Sequence, residues 1–214
     1  MRISNRFEKH IAAAAAVAMG ATAAANAAVV YSGVLNFVCA PNTDGVYINV
    51  ETPTVTNEYF DSYQLNAYSN NGFRFYFSAS GGGLMRREGV TTGTGGNLAL
   101  GTSIGSTGSY NSTDGDVYGT TSAEGLLGGW TYSSENIVGF KFKAADTLIH
   151  YGWMRFAMGA EDGVVNTMTR TLVDYGYEST AGASILAGAG AVPAPGALAL
   201  LGVAGLAGGR RRRA

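Results

Sequence analysis

The sequence predicts an all-β domain enclosed between two apolar terminal segments. Apolar and polar residues alternate with a period of two along the middle of the chain, and no stretch there keeps a long helical period. Clusters of Gly, Asn, Asp and Ser separate the alternating stretches, so that about ten short strands are expected. Short strands without helices favour an antiparallel β-sandwich of the jelly-roll or lectin-like kind, with a closed barrel as the alternative.

The first 27 residues have the three parts of a secretory signal peptide. Basic residues come first, an alanine-rich apolar stretch follows over 11–22, and Ala25 and Ala27 frame a small-x-small cleavage site. The basic residues are Arg2, Arg6 and Lys9. This order is typical of a segment that the Sec translocon recognises and that is then removed. We therefore expect a signal helix over 1–27, cleavage after Ala27 and an exported domain over 28–180.

The first half of this domain predicts strands at 29–39, 46–50 and 59–68. Asp44-Gly45 forms a turn before the second strand, because this pair tolerates positive φ. Phe73, Phe75 and Phe77 then alternate with polar residues, which places the three rings on one face of a strand.

Residues 90–119 are mostly Gly, Thr, Ser and Asn, and they predict long loops with at most short strands. Asp114 and Asp116 flank Gly115 within this stretch. Their oxygens make a weak candidate for calcium binding, although the closing glutamate of an EF-hand loop is missing. A solvated turn is the favoured interpretation, and no metal site or cofactor is predicted.

The second half is richer in core residues and predicts strands at 137–142, 148–158 and 166–177, of which the second should be central. Tyr151, Trp153 and Arg155 share one face of that strand. An aromatic face with a polar neighbour can stack on a sugar. The alternative, which we favour, is that the two rings belong to the core on that face.

The remaining candidates for chemistry are weak. His150 is the single histidine of the domain and lies within a strand, so a structural role is favoured over a catalytic one. Carboxylates that a glycosidase could use are present, but nothing in the sequence pairs them. These are Glu58, Asp61, Glu135, Asp174 and Glu178. Cys39 is the only cysteine, which excludes an internal disulfide, and burial is expected for it. No enzyme is predicted.

The charge of the exported part differs from that of the whole chain. The chain has 14 Lys+Arg and 15 Asp+Glu. Seven of these cations and one carboxylate, Glu8, lie in the terminal segments, which leaves 7 positive and 14 negative groups and a net charge of about −7. This charge disfavours nucleic acid and anionic lipid as partners and is compatible with neutral sugars or divalent cations.

The C-terminal segment over 192–214 combines three features in a fixed order. A proline motif (Val192, Pro193, Ala194, Pro195) precedes an uncharged apolar run over 196–209, and a basic block (Arg210, Arg211, Arg212, Arg213) follows. Apolar residues favour the bilayer core, whereas arginines are retained on the cytoplasmic side. We expect a transmembrane helix with a stop-transfer block, joined to the domain by a small-residue linker over 181–191.

These features resemble the PEP-CTERM sorting signal of exopolysaccharide-producing Gram-negative bacteria. The resemblance covers about the last 22 residues and departs at Ala194, where that signal usually has Glu. It implies recognition by the membrane enzyme exosortase, a transient anchor in the inner membrane, and delivery to the cell surface or extracellular matrix. The expected function is structural or adhesive in an exopolysaccharide or biofilm context. A carbohydrate-binding module is the alternative, and a glycoside-active enzyme is the less favoured one.

Overall fold

A computed structural model describes residues 28–40, 44–69, 73–86, 95–111, 115–118, 128–160 and 169–191. Within these ranges it contains thirteen β-strands and no helix: β1 (Val29–Tyr31), β2 (Phe37–Cys39), β3 (Val46–Asn49), β4 (Thr54–Thr56), β5 (Leu65–Ser69), β6 (Phe73–Phe77), β7 (Gly83–Leu84), β8 (Ser103–Ile104), β9 (Gly115–Tyr118), β10 (Ser134–Lys143), β11 (Ile149–Met158), β12 (Arg170–Glu178) and β13 (Ile185–Leu186). None of the described segments is a helix able to cross a membrane. The predicted signal helix over 1–27 and the predicted transmembrane helix over 192–214 lie outside these ranges.

Two antiparallel sheets face each other, which confirms the all-β, sandwich-like prediction. The six-stranded sheet has the order β1-β12-β11-β10-β7, with β2 also paired to β12. The five-stranded sheet has the order β4-β3-β5-β6-β9. Phe73 and Phe75 of the smaller sheet meet Phe156 of the larger one, with ring centroids 5.0 and 5.6 Å apart.

The main core lies between the two sheets. Phe73, Phe75 and Phe77 are all buried while the residues between them are half-buried, so the predicted alternation is confirmed. Burying each such ring stabilises the fold by roughly 1.5–3 kcal/mol. The predicted central strand is confirmed as well, since β11 lies in the middle of its sheet and pairs along its length with β10.

The strand predicted at 29–39 is divided into two. β1 and β2 both pair with β12, but Gly33 and Asn36 between them have φ values of 73° and 50°. The register between β11 and β12 also shifts in this region. Arg155 pairs with Asp174 and Phe156 pairs with Leu172, which leaves Val173 as an extra residue in β12. Its carbonyl accepts the Leu35 N–H at 2.7 Å. The division thus matches a β-bulge in the partner strand.

A third layer covers the outer face of the six-stranded sheet. It contains β8 and β13, which pair with each other, and it forms a second apolar cluster with that face. The buried members are Met85, Leu98, Ile104, Tyr151, Trp153, Ile185 and Ala187. Residues 181–191, predicted to be a linker, therefore belong to the folded domain. Their small side chains let the backbone approach the sheet so closely that Ala189 O accepts the Trp153 indole N–H at 3.1 Å.

The two ends of the described chain lie side by side at the β1 edge of the six-stranded sheet. Ala28 O accepts the Ser179 N–H at 3.1 Å at the start of β1. At the other end, a Cβ placed on Gly190 would lie 3.0 Å from Val29 Cγ1 and 3.1 Å from Tyr31 Cβ. The two positions that follow the predicted signal and precede the predicted sorting motif are therefore close together.

Candidate functional site: a tyrosine-lined groove

A row of polar and aromatic residues crosses the outer face of the five-stranded sheet. Tyr47 of β3 pairs in register with Asn66 of β5, and Asn66 pairs with Tyr76 of β6. The neighbouring residues Val46 and Ile48 point into the core, so Tyr47 must point away from it. This face carries tyrosines where the opposite face carries phenylalanines and aliphatic residues.

Two tyrosines from the connection between β4 and β5 pack onto this row. Tyr63 meets the Tyr47 ring edge to face at a centroid distance of 5.0 Å, and Tyr59 meets Tyr47 at 5.5 Å. Tyr63 also lies 6.4 Å from Tyr76. The sequence predicted a strand over 59–68, but strand structure begins only at Leu65. Residues 59–63 instead form a turn whose rings extend over the sheet.

Together these residues line an open groove of about 320 Å³. Its walls are Asp44, Tyr47, Tyr59, Tyr63, Asn66, Tyr68 and Tyr76. Burial is graded across the groove, since Tyr47 is 9% exposed at its base and Tyr59 is 63% exposed at its rim. A large exposed aromatic ring held by other rings is a typical contact surface for a ligand.

The base of the groove is fixed by Asn66 and Gly45. Asn66 Nδ2 donates a hydrogen bond of 2.7 Å to Asp44 O, which holds the turn before β3 against β5. Gly45 has a φ of 91°, and a Cβ there would overlap Ala67 O and Tyr68 Cβ. Only glycine allows this close approach without strain. The groove therefore has a preformed base.

The pKa values of three groove tyrosines, Tyr47, Tyr59 and Tyr63, are raised above the ordinary phenol value, so these three stay protonated at neutral pH. A hydrogen bond donated to the Asp61 carboxylate is the main factor that raises the pKa of the Tyr59 phenol. Burial is the main factor that raises the pKa of Tyr47 and of Tyr63, and the Asp44 charge raises that of Tyr47 further. The site thus combines apolar ring faces, neutral hydroxyls and carboxylates, which suits a ligand with both C–H faces and hydroxyl groups.

The sequence did not point to this groove. Five of the chain's 12 tyrosines fall between residues 47 and 76, which is the one signal that could have marked the region. Their spacing along the chain is irregular, because the row is formed by pairing between strands and by one turn.

The predicted ligand face on β11 lies elsewhere. Trp153 is fully buried and Tyr151 is 7% exposed, because the third layer covers both rings. The two rings belong to the second cluster, as the favoured alternative held, and they do not form an exposed sugar-stacking surface.

Arg155 is held in a network of carboxylates on the same face. Its Nε donates to Asp174 Oδ1 at 2.9 Å, a second guanidinium nitrogen contacts Asp174 Oδ2, and Nη1 lies 3.1 Å from Glu135 Oε2. The Tyr31 hydroxyl donates to Asp174 Oδ2 at 2.8 Å. Two of the predicted carboxylates thus come together, but they do so as partners of one arginine. The hydrogen bond with Asp174 is the main factor that raises the Arg155 pKa.

The other candidate residues are dispersed. Glu58 and Asp61 are exposed near the groove rim, and Glu178 is buried and accepts the Thr180 N–H at 2.9 Å. His150 is buried between two hydrogen-bond partners, Glu178 O at 2.8 Å and Asp146 Oδ2 at 3.0 Å. Both ring nitrogens are occupied, which is the arrangement of a structural histidine.

Cys39 is buried at the end of β2, as expected, and burial raises the pKa of its thiol to about 12. Among the described residues no group of three or more His, Cys, Asp or Glu side chains is suited to a metal ion. Of the weak calcium candidates, Asp114 lies outside the described ranges. The backbone of Asp116 lies in β9, opposite Tyr76.

Several predicted residues also fall outside those ranges. They are the cleavage residues Ala25 and Ala27, the proline motif 192–195 and the arginine block 210–213. Comparison of the chain with protein-family models, with curated proteins and with solved structures gives no match.

Proposed function

We propose that the chain is an exported protein of the cell surface or extracellular matrix, and that it adheres to polysaccharide through the tyrosine groove. The observation that carries the binding part is the exposed Tyr59 ring above the buried Tyr47, within a groove that also holds carboxylate and amide groups. Protein sites for sugars use aromatic faces for the C–H surfaces and a few polar groups for the hydroxyls.

The lectin-like or jelly-roll interpretation of the fold belongs to this proposal. Two antiparallel sheets and a ligand groove on the outer face of one of them support it. A contiguous exposed aromatic surface is typical of a site that contacts another molecule, which favours adhesion over a purely structural role.

The export and sorting part rests on the terminal segments of the sequence. The Sec translocon would engage residues 1–27, the inner membrane would hold the apolar run after Pro195, and exosortase would recognise the proline motif. The negative charge of the exported part supports a neutral sugar over nucleic acid as the partner.

Binding is tested by co-sedimentation of the purified full-length chain with polysaccharide isolated from the matrix of its native host. Tyr59→Ala should weaken retention about tenfold, because stacking on one aromatic ring is worth on the order of 1 kcal/mol or more. Leu100→Ala is the matched control, since Leu100 is similarly exposed, at 69%, but lies on the opposite side of the sandwich. Wild-type protein that stays in the supernatant would refute the binding role.

Sorting is tested by the intact mass of the protein from culture medium and from membranes of that host. Release predicts a medium species that lacks residues 1–27 and the segment after about Val192. A membrane species that keeps Arg213, without a shorter form in the medium, would mean that the tail is a permanent anchor.

A further inference from the structure

The carboxylates around the tyrosine groove restrict the chemistry of its ligand. Asp44 forms part of the wall and is exposed, and Asp61 is exposed beside the rim, where it accepts the Tyr59 hydroxyl. The wall and the rim of the groove therefore each carry a negative charge close to where a ligand would lie.

One arginine, Arg74, lies on the same face of the sheet as the groove tyrosines. Arg74 lies on β6 two residues from Tyr76 and pairs in register with Tyr68, so it stands one row away from the central row. It is half-buried and already has interaction partners within the protein. The surrounding domain has a net charge of about −7, which adds to the repulsion of an anion at long range.

The groove offers two kinds of contact to an uncharged ligand. The tyrosine hydroxyls donate and accept hydrogen bonds, whereas the carboxylates accept them from hydroxyl groups. Hydroxyl groups of a sugar satisfy both kinds. A uronate or a sulfated sugar would instead place its negative charge next to Asp44 or Asp61, and like charges brought together at an interface disfavour the complex.

Resting on the proposed polysaccharide binding, we infer that the groove selects neutral glycans and rejects anionic ones through Asp44 and Asp61. The aromatic rings supply affinity for any sugar with an exposed C–H face. The two carboxylates supply the discrimination, which does not depend on a metal ion.

The test compares two chemically matched forms of the host polysaccharide in the presence of a chelator. One form has all of its carboxyl groups reduced to alcohols, and the other is oxidised at C6 to carboxylates. At low ionic strength, the full-length wild-type protein should bind the reduced form at least about tenfold more tightly, and added salt should reduce this ratio.

Asp44→Asn and Asp61→Asn should each raise the affinity for the oxidised form several-fold relative to that for the reduced form, because the amide removes the repulsion of a ligand carboxylate while its oxygen still accepts a hydrogen bond. Glu135→Gln is the matched control, because it removes one exposed carboxylate from the other side of the sandwich. It should leave the ratio within about twofold of wild type.

The outcomes separate the two proposals. Equal or tighter binding of the oxidised form would overturn the inference and leave polysaccharide binding intact. An equal gain in affinity for the oxidised form in all three variants would also overturn the inference. The net charge of the protein, and not the groove carboxylates, would then determine the selectivity. Binding of neither form would overturn polysaccharide binding itself and the inference with it.

Discussion

Asp174→Asn removes the charge of a fully buried carboxylate and keeps the shape of its side chain. Asp174 is fully buried and accepts hydrogen bonds from Arg155 and Tyr31, at 2.9 Å from Arg155 Nε and 2.8 Å from the Tyr31 hydroxyl. Breaking a buried ion pair costs about 3–5 kcal/mol, because the remaining charge is left without compensation. The Arg155 side chain is 26% exposed and keeps Glu135, which places the expected loss near the lower limit, at about 3 kcal/mol.

For a domain of this size each kcal/mol shifts the unfolding midpoint by roughly 2–4 °C, so a decrease of about 6–12 °C is expected. Thermal unfolding of the purified chain, followed by near-ultraviolet circular dichroism, measures it. Glu135→Gln is the control, since the Glu135 side chain is 52% exposed and its contact should contribute less than about 1 kcal/mol. If Asp174→Asn shifted the midpoint no more than Glu135→Gln does, the network would not stabilise the fold as argued.

Three further changes test other parts of the molecule. Cys39 should resist thiol reagents at pH 8 in the native protein and be labelled in urea, since its pKa of about 12 keeps the native thiol protonated. The free energy of unfolding should also fall as the pH rises above 9, where only the unfolded thiol ionises. Labelling of the native protein at pH 8 would contradict this. Gly45→Ala should cost about 2–4 kcal/mol in a urea titration, from positive φ and overlap with β5; an unchanged midpoint would refute the packing argument. Ala194→Glu should raise the ratio of mature to precursor protein on an immunoblot, and a constant ratio would count against exosortase recognition of the proline motif.

The strands of the main core could be predicted because burial there follows the two-residue period of the backbone. Phe73, Phe75 and Phe77 alternate with polar residues, so their shared face is visible without a structure. The face of β11 that carries Tyr151 and Trp153 was predicted for the same reason; these two rings belong to the second cluster, and Phe156 belongs to the main core.

The third layer and the groove could not be predicted because both depend on contacts that are distant in sequence. Residues 181–191 are mostly small and uncharged, and this composition predicts a linker. Only the structure shows that Ile185 pairs with Ile104. In the groove, Tyr47 and Tyr76 are brought to one row by the register of β3, β5 and β6. No local pattern records that register, and the turn that brings Tyr59 over the row resembled a strand.

The adjacent chain ends also determine which way an attached molecule would face. Ala28 continues β1 at the edge of the six-stranded sheet and Gly190 packs beside that strand, whereas the groove opens on the far side of the other sheet. Because packed sheets are about 10 Å apart, at least roughly 10 Å of folded protein separates the chain ends from the groove. A precursor held in the membrane by both termini would be attached at one edge of the domain, and its groove tyrosines would face away from that attachment. Cleavage at either end would leave the groove intact, because none of its residues contacts Ala28 or Gly190.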